Sequence, residues 1–279
     1  MIPANFDYEV PRTLEEALSL LASSQEAKVL AGGHSLLPAM KLRLSQPALL
    51  VDIGRIAALN YIRESGNTIA IGATTTHAAI ADSSPLRQRC PLLPQTAHSI
   101  GDVQVRNRGT IGGSIAHADP AADYPATLLA LDAEIIAASQ QGQRTIKATE
   151  FFTGLFTTAL EPGEIITEIR VPATMGAKTS YQKFHHPASG FAVVGVAAVV
   201  RSAHGKIESA AIGITGVADH AYRASAVEKT LRGQPASAIA AAATHASDGR
   251  DALDDYFASS EYRRHLAGIY VQRAVEAAM

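Results

Sequence analysis

Apolar residues near the start of the chain are spaced as in a β/α unit. Helical spacing runs over 13–21, where Thr13 suits the N-cap and Glu16 stands three residues later, as in a capping box. Two short apolar runs, at 29–31 and 48–53, predict buried strands, and the first ends directly at a pair of glycines. The change of period from helix to strand predicts a compact unit with helix and sheet packed together.

The middle of the chain continues this mixed pattern. A hairpin is predicted to turn at Gly66-Asn67, and a helix is predicted to begin at Thr75 or Thr76. Further runs predict a helix over 121–131 and strands at EIIAAS, RTIKA and EIITEIRVP, the last ended by Pro172. This part of the chain is therefore predicted to form a second α/β subdomain.

The pattern changes after a short linker of small residues at 174–178. Three strand-like segments follow, SYQKF, FAVVGVAAVVR and KIESAAIGITGV, and they predict a three-stranded antiparallel sheet. Ala-rich helical spacing then returns at 221–231, 237–245 and 261–278. We therefore predict a C-terminal α+β domain.

Composition excludes several classes of protein. The 279 residues are 47% hydrophobic, which is ample for a buried core, and 24 Lys and Arg oppose 26 Asp and Glu. The resulting net charge of −2 predicts no basic face for nucleic acid. The lone Cys90 excludes an internal disulfide, and without a CxxC or Cys/His pattern no zinc or iron–sulfur site is expected.

The chain is predicted to be cytoplasmic and to have no membrane span. Its first residues show no basic stretch followed by an apolar stretch, as a secretory signal would. No run of about 18 apolar residues is present to cross a bilayer.

Two glycine-rich segments are the candidate sites. We call AGGHSLLP, residues 31–38, the first glycine segment, and RNRGTIGGSIAHADPAAD, residues 106–123, the second glycine segment. Glycine pairs permit tight turns and close backbone approach, so that successive N–H groups can bind a pyrophosphate. Side-chain donors accompany both segments: His34, Ser35, Thr110 and Ser114. Neither segment is a GxxxxGK[ST] or a GxGxxG motif, and paired glycines are also typical of purely structural turns.

These segments identify a family resemblance. AGGHSLLPAMKLRL, QVRNRGTIGGSIAHADPAAD, YQKFHHPASGFAVVGVAA and SSEYRRHLAGIYVQRAVEAA resemble the FAD-binding medium subunit of the molybdenum hydroxylases. This family includes carbon monoxide, xanthine, nicotine and aromatic-acyl-CoA oxidoreductases, and the resemblance covers nearly the whole chain. It implies the PCMH-type, vanillyl-oxidase-like FAD-binding fold of two α/β subdomains, followed by the α+β domain. The predicted units are FAD-binding subdomains at 1–56 and 57–175 and a C-terminal domain at 176–279.

The resemblance also implies which residues bind FAD. The pyrophosphate would be wrapped by Ala31, Gly32, Gly33, His34, Ser35 and Leu36, and contacted from the other side by Thr110, Ile111, Gly112, Gly113 and Ser114. Asp123 would bind the adenosine half, where ribose hydroxyls meet a carboxylate, while Ile166 and Lys183 would lie on the flavin side, with Phe191 near the ring. No catalytic side chain and no metal ligand is expected in this chain.

The implied function is electron transfer within a larger enzyme. A small partner subunit would hold two [2Fe–2S] clusters and a large one the molybdenum cofactor, in a heterotrimer or its dimer. FAD in this chain would take electrons from the clusters and pass them to an external acceptor. Two other hypotheses stay open: a self-sufficient flavin oxidase with FAD attached covalently to His34, and a non-catalytic α/β binding module.

Overall fold

A small parallel sheet begins the fold. The computed structural model describes residues 2–279. Its first elements are β1 (Asp7–Glu9), α1 (Leu14–Ser23), β2 (Ala27–Leu30), α2 (Leu36–Lys41) and β3 (Leu49–Asp52), followed by 3-10 turns at Ile53–Arg55 and Ala57–Leu59. The strands are parallel in the order β1-β3-β2. The predicted cap is confirmed: Thr13 Oγ1 accepts the Glu16 N–H at 3.2 Å, and Glu16 Oε2 accepts the Arg12 N–H at 2.7 Å.

A five-stranded antiparallel sheet forms the centre of the molecule. The strands of this part are β4 (Ile62–Ser65), β5 (Thr68–Gly72), β6 (Glu134–Ser139), β7 (Gly142–Lys147), β8 (Phe152–Gly154), β9 (Thr157–Thr158) and β10 (Ile165–Pro172). The sheet has the order β4-β5-β10-β6-β7, while β8 and β9 form a separate hairpin. The predicted turn at Gly66-Asn67 is confirmed, and Gly66 has a φ of +58°.

Seven helices accompany this sheet, and one of them, α7, forms where a turn is predicted. They are α3 (His77–Asp82), α4 (Ser84–Arg89), α5 (Leu92–His98), α6 (Val103–Arg108), α7 (Ile111–His117), α8 (Asp123–Ala130) and α9 (Ala148–Phe151). Gly112 and Gly113 were expected in a tight turn, but they lie inside α7 and neither has a positive φ. Thr110 starts this helix because its Oγ1 accepts the Gly113 N–H at 3.1 Å.

The C-terminal domain has one strand more than expected. Its elements are β11 (Lys178–His185), β12 (Ala192–Ala203), β13 (Lys206–Thr215), β14 (Tyr222–Arg223), α10 (Ser225–Leu231), a 3-10 turn at Ala236–Ala238, α11 (Ile239–Ala243) and α12 (Ser260–Ala277). The helix predicted over 221–231 begins only at Ser225, because Tyr222 and Arg223 pair with β13. The fold class is confirmed, and the three-part division of the chain stays a prediction. Across residues 2–279, no helix is both long and apolar enough to cross a membrane.

The C-terminal sheet packs directly on the segment that leads into α8. Thr215 Oγ1 donates to the carbonyl oxygens of Pro120 at 2.6 Å and Ala122 at 2.8 Å. At Gly213 a Cβ atom would overlap the carbonyl oxygen of Ala126 in α8. Because both contacts involve backbone, helix and sheet are held at a spacing that only glycine permits at this position.

Replacing Gly213 by alanine should therefore destabilise the protein. We expect Gly213→Ala to lower the free energy of unfolding by about 3 kcal/mol, since the Ala126 backbone would have to shift. Gly154→Ala is the matched control, because its Cβ would meet only Thr157 Cβ at 4.0 Å. Urea denaturation of both variants measures the difference, and equal stability of the two would contradict this account of the packing.

Candidate functional site

One large cleft unites most of the predicted site residues. It has a volume of about 1510 Å³, whereas pockets for drug-sized ligands are commonly about 300–1,000 Å³. Thirteen of the fifteen predicted residues line it: Ala31, Gly32, Gly33, His34, Ser35, Leu36, Thr110, Gly112, Gly113, Ser114, Asp123, Ile166 and Phe191. A cleft of this size suits an extended ligand such as a dinucleotide.

The first glycine segment offers a row of free backbone donors. Among residues 2–279, the N–H groups of Gly32 to Leu36 have no hydrogen-bond acceptor. Gly33, at a φ of +78°, turns the chain. Helix α2 begins directly afterwards, and the Leu37 N–H donates to the Gly33 carbonyl at 3.0 Å. Successive unpaired N–H groups in such a turn form a concave site for anions. Such a row of donors can bind an anionic group.

The second glycine segment uses its donors differently. Its N–H groups donate within the protein, from Ile111 to the Thr75 carbonyl at 3.1 Å, from Gly112 to the Ala73 carbonyl at 2.9 Å, and from Gly113 to Thr110 Oγ1 at 3.1 Å. The second glycine segment therefore forms part of the wall of the cleft and offers the Ser114 hydroxyl to a ligand, but it has no second row of free backbone donors. The two segments, which the sequence analysis treated alike, are not equivalent.

The glycines of both segments are needed for contacts within the protein. A Cβ atom on Gly32 would overlap the carbonyl oxygen of Arg108, so the two segments touch through their backbones. A Cβ atom on Gly112 would lie 2.7 Å from both the carbonyl oxygen and the Cβ of Ala73. The glycine pairs predict close approach of a ligand, whereas at Gly32 and Gly112 it is neighbouring protein backbone that lies close.

Two predicted residues lie outside the cleft lining. Ile111 is fully buried in the core, and its N–H is already bonded to Thr75. Lys183 in β11 has a side chain only 6% exposed, and its Nζ donates to the Ser99 carbonyl at 3.0 Å. Neither side chain is placed at the surface of the cleft.

Lys183 instead forms a buried ion pair with Asp123, which does line the cleft. Lys183 Nζ lies 2.9 Å from Oδ1 and 3.0 Å from Oδ2 of Asp123, and the Tyr181 hydroxyl donates to Oδ1. Burial raises the pKa of Asp123, and Lys183 and Tyr181 oppose this effect. The pair joins the first turn of α8 to β11, so it fixes the carboxylate against the C-terminal sheet.

His77 is a cleft residue that the sequence analysis missed. It is the first residue of α3, and the ring lies so close to Gly109 that a Cβ there would be 2.5 Å from His77 Nε2. Nδ1 is buried, with no partner among the described residues. Burial is the main cause that lowers the pKa of His77 to about 4, with smaller contributions from the neighbouring His34 and Arg106. The imidazole is therefore neutral at pH 7.

Two further residues at the cleft were not anticipated. Phe156, at the turn between β8 and β9, is 52% exposed and has a φ of +52°. Its ring lies 5.1 Å from that of His117, which also lines the cleft. An exposed phenylalanine in a hairpin turn has no distinctive sequence pattern, and no signal in the chain indicates that it faces the same space as the glycine segments.

The single thiol plays no part in this site. Cys90 is fully buried in the core, and burial raises its pKa to about 12. Among residues 2–279, no cluster of three or more His, Cys, Asp and Glu side chains could hold a metal ion.

The neutral state of His77 predicts how stability depends on pH. The unfolded chain takes up a proton on this residue below about pH 6.5, while the folded protein does so only near pH 4. The contribution of neutral His77 to the free energy of unfolding is complete above pH 6.5. It falls with the pH, so that about 2.5 kcal/mol is lost at pH 4.5. Urea denaturation of wild type and His77→Gln at pH 7 and 4.5 measures this, and an unchanged pH dependence in the variant would contradict it.

Comparison with known proteins covers the whole chain. The family described as the FAD binding domain in molybdopterin dehydrogenase matches residues 4–174. The family described as the CO dehydrogenase flavoprotein C-terminal domain matches residues 179–278. Together these matches cover both glycine segments and the C-terminal sheet.

Individual relatives agree with the family matches. The chain is 41% identical to the carbon monoxide dehydrogenase medium chain of Hydrogenophaga pseudoflava, covering 100% of this chain and 98% of that one. It is also 41% identical to the 6-hydroxypseudooxynicotine dehydrogenase complex subunit alpha of Paenarthrobacter nicotinovorans, with coverage of 100% and 96%. A solved carbon monoxide dehydrogenase from Hydrogenophaga pseudoflava that lacks the Mo-pyranopterin moiety superimposes with a TM-score of 0.97 at 43% identity, covering 100% of this chain and 98% of that one. The chain belongs to the family of FAD-binding medium subunits of the molybdenum hydroxylases.

Proposed function

We propose that this protein is the FAD-carrying electron-transfer subunit of a cytoplasmic molybdenum hydroxylase. It would accept electrons from [2Fe–2S] clusters of a small partner subunit and pass them to an external acceptor. A large partner subunit would hold the molybdenum cofactor and oxidise the substrate. The observation that carries the proposal is the row of unpaired N–H groups from Gly32 to Leu36 at the wall of a cleft large enough for a dinucleotide.

The wall of the cleft at the first glycine segment is suited to the diphosphate of FAD. In this proposal the diphosphate lies on the first glycine segment, where the N–H groups of 32–36 are free to bind it. His34 and Ser35 are exposed beside these donors, and Ser114 adds a hydroxyl from the second segment. Subdomains 1–56 and 57–175 would hold the cofactor between them, with 176–279 packed beside it.

Asp123 keeps acceptor capacity for a sugar hydroxyl. A carboxylate has about four lone-pair sites, and the hydrogen bonds from Tyr181 and Lys183 occupy two of them. Asp123 lines the cleft, so the other sites are proposed to accept a bond from the sugar. Lys183 then acts from behind Asp123, holding the carboxylate in place, while Ile166 contributes an apolar surface to the same cleft.

The division of tasks between chain and cofactor follows from these positions. Bound FAD supplies redox chemistry, because it can take electrons one at a time or as a pair and thus connect iron–sulfur clusters to other acceptors. The residues of this chain bind and orient it. The polar wall at 32–36 fixes the diphosphate, and the neutral His77 adds no charge beside it.

The similar proteins support a subunit rather than a self-sufficient oxidase. The relatives are named as a medium chain and as the subunit of a dehydrogenase complex, and the chain spans 96% or more of each. We therefore place this chain in a heterotrimer or its dimer, and we do not favour covalent attachment of FAD through His34. The non-catalytic binding module is likewise not favoured, since both family matches are named after flavoprotein domains.

A substitution at Gly32 should separate FAD retention from folding. Gly32→Ala places a methyl group against the Arg108 carbonyl, which displaces the donors of the first glycine segment. We expect at least a tenfold loss of FAD affinity with a cooperative thermal transition retained, measured by flavin absorbance and circular dichroism. Gly154→Ala should keep wild-type FAD content, and normal FAD binding by Gly32→Ala would contradict the assigned diphosphate site.

Purification of the native assembly tests the proposed function itself. Isolated from its source with its partners, the complex should contain FAD, iron and molybdenum, and the flavin should bleach when the substrate of the large subunit is added. FAD should be released by acid precipitation, since it is held without a covalent bond. An assembly without flavin, or flavin that stays on the precipitated chain, would refute the proposal.

A further inference from the structure

A second cavity lies between the helices of the central part and the C-terminal domain. Its lining includes Leu129, Phe152, Tyr222, Arg223, Glu228 and Arg250. The volume is about 330 Å³, within the range of about 300–1,000 Å³ that is common for small-molecule sites. Among the described residues, none that lines the second cavity also lines the cleft assigned to FAD. The second cavity is therefore a separate candidate site.

The walls of the second cavity are fixed by hydrogen bonds within the protein. Arg223 Nη1 donates to the carbonyl oxygen of Leu129, in the last turn of α8, at 3.0 Å. Glu228 Oε1 in α10 accepts the N–H of Ile212 in β13 at 2.7 Å. These bonds hold α8, β13, β14 and α10 together around the space. The second cavity is thus formed before any ligand enters it.

Arg250 has a guanidinium group whose donors are unused. Its Cζ lies 4.6 Å from the centroid of the Tyr222 ring, in a cation–π contact. Tyr222 is buried, and its hydroxyl donates to the Ala246 carbonyl at 3.0 Å, so the ring is a fixed support. Across residues 2–279, the Arg250 side chain forms no ion pair and donates no hydrogen bond. An arginine held in this way is positioned to bind an anion.

The other two charged residues of the lining are already paired with each other. Arg223 donates from Nε to Glu228 Oε1 at 2.7 Å and from Nη2 to Oε2 at 3.0 Å, and its Nη1 also donates to Asp132. The charge of Arg250 is the one in this lining that has no partner. A ligand with a single negative charge matches it. A phosphate dianion or a dicarboxylate would bring additional negative charge close to Glu228.

Apolar side chains complete the second cavity beside these charges. Leu129 and Phe152 are buried residues of the central part, and both line the space. A ligand that fills the second cavity therefore meets a hydrophobic wall on one side and the free guanidinium on the other. This combination favours an organic anion over an inorganic one.

We propose that the second cavity binds a small monocarboxylate with a compact apolar body. The planar guanidinium of Arg250 donates two parallel hydrogen bonds to the carboxylate, a geometry that arginine matches and lysine does not. The apolar body lies against Leu129 and Phe152. This inference does not depend on the proposed function, because none of these residues lines the cleft assigned to FAD.

Arg250→Gln is the informative variant because it removes the charge without removing a hydrogen bond of the folded protein. Arg232→Gln is the matched control: Arg232 is an exposed arginine of the same domain and does not line the second cavity. Arg250→Lys keeps the charge and loses the planar pair of donors, so its affinity should lie between those of wild type and Arg250→Gln.

The probe is benzoate, and benzamide is its uncharged counterpart. Calorimetric titration into the full, FAD-loaded chain should give a benzoate dissociation constant about tenfold higher for Arg250→Gln than for wild type or Arg232→Gln. Benzamide should bind wild type about tenfold more weakly than benzoate does. Circular dichroism should show the same fold in all four proteins, and benzoate should leave the flavin absorbance unchanged.

Four results would overturn the inference. Wild type that does not bind benzoate would refute the site, and so would equal benzoate affinity in wild type and Arg250→Gln. Tighter binding of inorganic phosphate than of benzoate would refute the choice of a monocarboxylate. A change in flavin absorbance on addition of benzoate would assign the probe to the FAD cleft instead.

Discussion

The close backbone contact between the two glycine segments is the constraint on which the cleft depends. Gly32 lies against the carbonyl of Arg108, and Gly112 lies against Ala73 at the end of the central sheet. Side chains at these positions would hold the segments apart, and the free donors of 32–36 would then no longer share a cleft with the central subdomain. The N–H groups of the second segment are used in hydrogen bonds that stabilise this arrangement. Only the first segment therefore has unpaired N–H groups among these residues.

Elements defined by short-range interactions could be predicted from the sequence. The cap at Thr13, the turn at Gly66 and the helix start at Thr76 each depend on atoms within a few residues, and the structure contains all three. The first glycine segment belongs to the same group, since the positive φ of Gly33 is a local property. The resemblance then linked these local signals to FAD, and thirteen of the fifteen residues that it implied do share one cleft.

Features that depend on distant parts of the chain could not be predicted. A glycine pair is typical of a turn, yet Gly112 lies inside α7, where a Cβ atom would overlap Ala73 just beyond β5. The bond between Lys183 and Asp123 joins residues 60 positions apart, and nothing in either local sequence indicates it. His77 could be placed at a helix start, but its loss of charge follows from burial beside Gly109 that appears only in the folded protein.

The position of Cys90 has a consequence for the durability of the protein. Reduced flavins can pass electrons to dioxygen, and the peroxide that results attacks thiolates far faster than thiols. The one sulfhydryl of this chain is fully buried, and its pKa of about 12 keeps it protonated. Peroxide formed at the flavin therefore meets no thiolate in this chain, and Cys90 is protected from oxidation.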